Sequence, residues 1–371
     1  MSGLPATLDR TTARAAGLRY VTDRVAGLSR RKIKGGFAYF HPDGRRVRTR
    51  AVVARVNSLA VPPAYTDVWI CADPDGHIQA TARDARGRKQ YRYHSRWRAV
   101  RDATKFERML AFGAVLPQIR KQVGADLKLP GVPREKVLAT VVRLLETTLI
   151  RVGNEEYARS NKSYGLTTLC TRHVDVNGAE VRFEFRGKSG VTQRVTVNEP
   201  RLAKIVRRCL DIPGQDLFQY LDEEGNPHPV RSTDVNAYLQ SASGADFTAK
   251  DYRTWAASVL AMSELVRASF DTVPDARKNV VTVMKIVASR LGNTPAICRK
   301  SYVHPALIDA YPGRSLTGHA ARHHAGLNRD EAAFVAFLRR RSRTTHKPRR
   351  KPAAVLPSAA PANSLPAHTA A

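Results

Sequence analysis

The segment GNTPAICRKSY, residues 292–302, ends on Tyr302 just after Arg299 and Lys300. A phenol is a weak nucleophile at its ordinary pKa of ~10, so a tyrosine that attacks phosphorus needs cations that stabilise the phenolate and neutralise the phosphate. The chain supplies cations in quantity: 62 Lys+Arg stand against 32 Asp+Glu, a formal charge of +30. Such a field attracts polyanions and puts nucleic acid first among partner classes. Strand cleavage by a tyrosine requires the nucleophile, cations on the non-bridging oxygens, and an acid to protonate the departing 5′ oxygen. Guanidinium groups suit the clamp because their planar forks bind phosphate bidentately and stay charged. No metal or other cofactor is needed in that scheme, and the chain lacks the concentrated acidic set with which a two-metal nuclease holds its ions.

Other classes fit less well. There is no 18-residue apolar run, no basic amphipathic helix with an aromatic face and no signal peptide, so a soluble cytoplasmic protein is expected, with no membrane partner. Cys71, Cys170, Cys209 and Cys298 are scattered and show no C-x-x-C spacing, which argues against a zinc site or a disulfide framework. His319, His323 and His324 form an H-x-x-x-H-H cluster without a glutamate between the first two, and a solvated helix is favoured over a metal there.

The elements that position the candidate residues fall into two units. Residues 18–97 hold short alternating runs (FAYF at 37–40, VWIC at 68–71, HIQAT at 77–81) separated by turn residues, which predicts a β-rich domain. Residues 1–17 read as an N-terminal arm. From residue 98 to 343 helical spacing dominates, beginning with Phe106, Leu110 and Leu116 and continuing through Val137, Val141, Leu144, Leu145 and Leu149. It returns over 201–210, 233–242, 249–269 and 279–291. A hairpin pattern at 179–197 interrupts it, with the turn RGKSG at 186–190. Residues 344–371 are rich in Lys, Arg, Pro, Ala and Ser and read as a disordered basic tail; phosphate contacts from it would position without specifying sequence. No internal repeat suggests a solenoid.

Four segments, in order, resemble the type IB DNA topoisomerases of the small poxvirus and bacterial kind. In LIRVGNEEYARSNKSYGLTTL (149–169), Arg151 matches the family's first catalytic arginine and Tyr157 a DNA-contacting tyrosine. In FEFRGK (183–188), Lys188 stands where the family carries its general-acid lysine. In FTAKDYR (247–253), Arg253 matches the second catalytic arginine and Lys250 a DNA contact. In the fourth segment Tyr302 matches the nucleophile. In addition, residues 76–93 are similar to the segment joining the family's β-rich and catalytic domains, which makes Arg83, Arg88, Lys89, Tyr91 and Arg92 candidate DNA contacts. Alone, Arg151 or Arg253 would read as a surface ion pair, the latter with nearby Asp251, and Tyr302 as a packed tyrosine; the order of the four segments reverses that. Tyr91, Tyr93 and Trp97 are at least as well suited to packing between domains.

The resemblance implies an α+β protein: a small β-rich N-terminal domain and a larger, mainly α-helical catalytic domain of the tyrosine recombinase/topoisomerase IB type, closing as a monomer on duplex DNA on the nucleoid. It also implies relaxation of supercoils through a 3′-phosphotyrosyl intermediate, without ATP or an obligatory metal. Site-specific tyrosine recombinases and non-catalytic DNA-binding relatives are the alternatives. Asn293 departs from the pattern, since the poxvirus and eukaryotic enzymes carry histidine there. An amide donates a hydrogen bond to a phosphate oxygen but carries no proton at neutral pH.

Overall fold

The protein is described from a computed structural model, which covers residues 6–85, 87–316 and 325–345. Helix α1 (Ala6–Ala15) is followed by strands β1 (Leu28–Ile33) and β2 (Gly36–Phe40), helix α2 (Arg50–Ser58), and strands β3 (Thr66–Ile70), β4 (Ile78–Arg83) and β5 (Lys89–Tyr93). The strands form one antiparallel sheet in the order β2-β1-β3-β4-β5. Its inward residues, Leu28, Tyr39, Val68, Ile70, Ala80 and Ala82, bury a small core together with Val47 and with Val56 of α2. That helix was not foreseen. It is tied down by Tyr39, whose hydroxyl donates to Asn57 Oδ1 at 2.8 Å, and by Arg55, which donates to Gln79 Oε1 and the Cys71 carbonyl.

The N-terminal arm is helical, and its end packs on the junction with the second unit. Ala13, Leu18 and Trp97 form a separate cluster, with Tyr20 and Tyr93 against it and His77 stacked on Tyr20 at 4.4 Å. Trp97 is 5% exposed, so the packing reading holds for it.

Trp97 lies near the start of α3 (Ser95–Asp126), which leads into α4 (Arg134–Thr148). There follow α5 (Glu155–Asn161), a sheet of β6 (Val174–Asn177), β7 (Glu180–Arg186) and β8 (Thr192–Asn198), then α6 (Pro200–Leu210) and a short ladder of β9 (Gln219–Leu221) with β10 (Pro227–Pro229). Helices α7 (Ser232–Ser243), α8 (Ala249–Arg267), α9 (Val273–Leu291), α10 (Pro295–Ser301), α11 (Pro305–Ala310) and α12 (Arg329–Thr345) complete the unit. The expected hairpin is β7–β8, antiparallel with Phe183 opposite Val195; β6 adds a third strand that the alternation had not suggested.

Helix α4 is buried around most of its surface, and Val137, Leu138, Val141, Val142, Leu144 and Leu145 are all at most 1% exposed. A helix of that kind has to be enclosed by others, and it contacts α3, α6, α7, α8, β8 and β9. The small sheet domain and larger helical domain make the architecture α+β. The three clustered histidines and the chain from residue 346 onward lie outside the described residues, while Thr344 and Thr345 belong to α12.

Candidate active site

Four chain segments deliver four side chains to one place. Central α4 ends with Leu149 in a left-handed C-cap at φ 58°, a conformation that β-unbranched leucine tolerates only at some cost. This cap turns the chain toward Arg151. The Arg151 backbone is then fixed by Leu166, whose N–H donates to the Arg151 carbonyl at 2.9 Å. Gly165 makes that approach possible, since a Cβ there would come 2.5 Å from the same carbonyl oxygen.

Helix α8 brings Arg253. Asp251, the suspected ion-pair partner, is occupied with capping: its carboxylate accepts from the Thr248 N–H at 2.8 Å and from the Thr248 hydroxyl at 3.0 Å. Arg253 points instead into the protein, 4% exposed, and Nη2 donates to the Leu291 carbonyl at 2.8 Å. The same helix carries the fully buried Ser258 one turn on. Its hydroxyl donates to the Tyr302 carbonyl at 3.1 Å and accepts from the His304 N–H at 3.0 Å.

Helix α9 ends on Gly292 at φ 58°, and the Asn293 N–H returns to the Ala288 carbonyl, a glycine C-cap that reverses the chain within two residues. Thr294 caps the next helix, accepting from the Ile297 N–H, and Pro295 starts α10. Two turns later that helix delivers Tyr302. Lys105 of α3 reaches the same spot, donating to the Ser301 carbonyl with Nζ 5.3 Å from the Tyr302 ring centre.

The electrostatics follow from these positions. Arg151 Nη2 donates to Asn293 Oδ1 at 2.5 Å and to the Gly292 carbonyl at 3.2 Å. An arginine has no acceptor, so this contact decides which way the Asn293 amide faces: oxygen toward Arg151, Nδ2 away from it. Among the described residues the buried Asn293 Nδ2 has no hydrogen-bond partner, and neither have Arg253 Nε and Nη1. Buried donors without acceptors are rare and call for an explanation. Burial pushes the Tyr302 phenol up, but Arg253 and then Arg151 pull it down further, and the net shift is downward. Arg253 and Asn293 also favour the phenolate as near neighbours of the hydroxyl, although their unpartnered nitrogens stop short of strict hydrogen-bond geometry. Arg253 Cζ lies 5.4 Å from the ring centre. Burial lowers the pKa of both arginines, Arg253 being further lowered by Arg151 and both raised by Tyr302. The cluster as it stands is short of negative charge.

The other expected residues lie apart. Lys188 sits in a 3₁₀ turn at the hairpin tip, exposed and without a hydrogen bond or ion pair among the described residues. Tyr157 on α5 is 40% exposed, and Lys250 is exposed in the first turn of α8. On the sheet, Arg83 pairs with Asp67 and Arg88 with Asp84, the latter at 2.7 Å with the Tyr157 phenol close by. Lys89 pairs with Asp23, Arg92 donates to the Ala60 carbonyl, and Tyr91 stacks on Tyr93 at 5.9 Å. Ser258 and Lys105 were not singled out in the sequence. Both act on the backbone around Tyr302, and an isolated serine or lysine on a helix leaves no pattern that would reveal this.

Comparison with known proteins identifies the family. Residues 94–317 match the family described as eukaryotic DNA topoisomerase I, catalytic core, and residues 36–84 match bacterial DNA topoisomerase IB, N-terminal domain. The DNA topoisomerase 1B of Acanthamoeba polyphaga mimivirus is 33% identical over 295 residues, covering 77% of this chain and 88% of that one. The DNA topoisomerase 1B of vaccinia virus (strain Copenhagen) is 25% identical over 230 residues, 61% of this chain and 70% of the viral one. The DNA topoisomerase 1 of Mycosarcoma maydis is 26% identical over 193 residues, 46% of this chain and 19% of the fungal protein. With a family match over more than half its length and a relative aligned across most of both chains, this chain belongs to the type IB DNA topoisomerases.

Proposed function

We propose that the protein relaxes supercoiled duplex DNA by transient cleavage of one strand, with Tyr302 as nucleophile. The observation that carries this reading is the set of buried, unpartnered donors, Arg253 Nε and Nη1 and Asn293 Nδ2, beside a phenol whose pKa is lowered. A scissile phosphate placed there supplies the acceptors that the apo site lacks. The phenolate attacks phosphorus, and the 3′-phosphotyrosyl bond forms as the bond to the 5′ oxygen breaks. Charge building on the non-bridging oxygens is met by Arg151, Arg253 and Asn293, all in place before the reaction begins. Lys188 gives its proton to the departing 5′ oxygen, which requires the hairpin tip to close on bound DNA. The free strand swivels under superhelical strain. The 5′ hydroxyl then returns its proton to Lys188 as it attacks the phosphotyrosine, restoring the strand and releasing the Tyr302 phenolate.

Energy of the phosphodiester is kept in the covalent link, so neither ATP nor a metal enters these steps. Tyr302, both arginines, Asn293 and Lys188 come from one chain, which makes a monomer sufficient. With a charge of +30 the protein is expected to stay on nucleic acid, on the nucleoid within the cytoplasm. The test is relaxation of positively and negatively supercoiled plasmid in EDTA without ATP. Loss of both signs of supercoil by the native chain, abolished in Tyr302→Phe, is the expected result. Binding with no change in linking number would overturn the proposal in favour of a site-specific recombinase or an inactive relative.

A further inference from the structure

The inward face of the β7–β8 hairpin is apolar at every position but one. Val181, Phe183 and Phe185 on β7 face Val197, Val195 and Gln193 on β8, each pair in register. Gln193 is half-buried, and its carboxamide makes no hydrogen bond among the described residues. It borders a cavity of about 580 Å3 shared with Arg151, Arg253, Gly187 and Leu291. A polar side chain thus stands at an otherwise apolar register position, with its carboxamide at the edge of the cavity.

Its contacts suggest a role. A Cβ on Gly187 would meet the Gln193 Cγ at 2.9 Å, and a Cβ on Gly292 would meet Oε1 at 2.8 Å and Nε2 at 2.9 Å. Two glycines therefore make room for one side chain, the first immediately before Lys188 and the second immediately before Asn293. Gly292 has a further duty, since its carbonyl accepts from Arg151. The stem of Gln193 thus spans from the turn that carries the proposed acid to the bend that carries Asn293.

We propose that Gln193 is a positioning residue that sets the hairpin turn against the Gly292–Asn293 bend, so that the Lys188 amine arrives at the 5′ oxygen when the tip closes. This rests on the proposed function. Gln193 touches no reacting atom, and it acts through where Lys188 is held; misplacement by about 1 Å is enough to cost ~10²-fold in rate.

The test is a double-mutant cycle read by plasmid relaxation under saturating DNA, with thermal unfolding followed in parallel. Gln193→Ala is expected to slow relaxation by about 10-fold or more with its unfolding midpoint unchanged, whereas Gln193→Met, which keeps the length of the stem, stays within about 3-fold of native. In the Lys188→Ala background the same Gln193→Ala change is expected to add less than about 3-fold, because there is no amine left to misplace. A native rate for Gln193→Ala, full multiplication of the two defects, or a loss of rate that tracks a lowered unfolding midpoint each overturns the inference. Failure of the native chain to relax either sign of supercoil overturns the proposed function and this inference with it. Relaxation by the native chain with an inert Gln193→Ala overturns this inference alone.

Discussion

The proposed phosphate clamp and the turn proposed to carry the acid are built on opposite plans. Arg151, Arg253, Asn293 and Tyr302 are held by helix caps, backbone carbonyls and one another, with donors already buried and unpartnered before any substrate binds. Lys188 sits exposed on a turn between two glycines and touches none of them. Preorganised donors act on developing charge with no reorganisation at the moment of reaction, whereas an acid held outside the site protonates the 5′ oxygen only after closure. In the proposed mechanism the contrast separates binding of the phosphate, for which the donors are already in place, from departure of the leaving strand, for which the turn must move.

The sharpest way to break this contrast is at its two ends. Arg253→Ala removes the leading cation beside the phenol. We expect cleavage at neutral pH to fall by roughly 10²–10³-fold and the rate-against-pH profile to move upward, because losing a positive neighbour raises the pKa at which Tyr302 ionises. A slowed enzyme with an unmoved profile would remove Arg253 from the activation of Tyr302. Lys188→Ala is expected to cost about 10²–10⁴-fold on an ordinary duplex, yet far less on one whose scissile 5′ oxygen is replaced by sulfur. A thiol with a pKa of ~8.5 leaves as the anion and needs no donated proton. Equal defects on the two substrates would end the assignment of Lys188 as the acid.

Asn293 sharpens the comparison within the clamp. Asn293→Ala deletes a preorganised donor and also the acceptor that orients Arg151, and should slow cleavage by about 10²-fold. Asn293→His should be less damaging, because a neutral imidazole accepts at one nitrogen and donates at the other. Rates in the reverse order would count against hydrogen bonding as the role of this position.

The smallest effect concerns stability. His304 caps α11, accepting from the Ala306 N–H at 3.2 Å, and packs on Phe106. Burial, with Arg341 adding and Asp309 opposing, pushes its pKa down to about 4. The unfolded chain takes up that proton near pH ~6.5, so in the window between the two values the folded state binds fewer protons, and stability falls as the pH falls. Urea midpoints should therefore drop from about pH 6.5 to about pH 4, and less so in His304→Asn, which keeps a capping side chain without the titration.

Much of this was legible in the sequence where it depended on periodicity or on ordered motifs. The alternation of FEFR and its neighbours foretold the β7–β8 hairpin, and the three- and four-residue spacing around Val137 to Leu145 foretold α4. Arg151, Arg253, Asn293 and Tyr302 were named from three short segments and come together in the fold. What escaped were short elements such as α2, where a nine-residue stretch offers too few turns for its period to stand out, and β6, whose four residues are recognisable only beside β7. The ion pairs that occupy Arg83 and Lys89 were also hidden, because Asp67 and Asp23 are distant in sequence. The same holds for Ser258, whose function is a contact 44 residues away.

That serine has a mechanical consequence. In the proposed mechanism, a strand joined to Tyr302 during swivelling would pull on the residue it is attached to, and the pull would pass from ring to backbone. The Ser258 hydroxyl bridges the backbone on both sides of Val303, from the Tyr302 carbonyl to the His304 N–H, and anchors it to the same rigid helix that carries Arg253. The load is thus shared by nucleophile and clamp as a single body, so a rotating DNA end can drag the attachment point without separating it from the arginine that must be beside it when the strand is resealed.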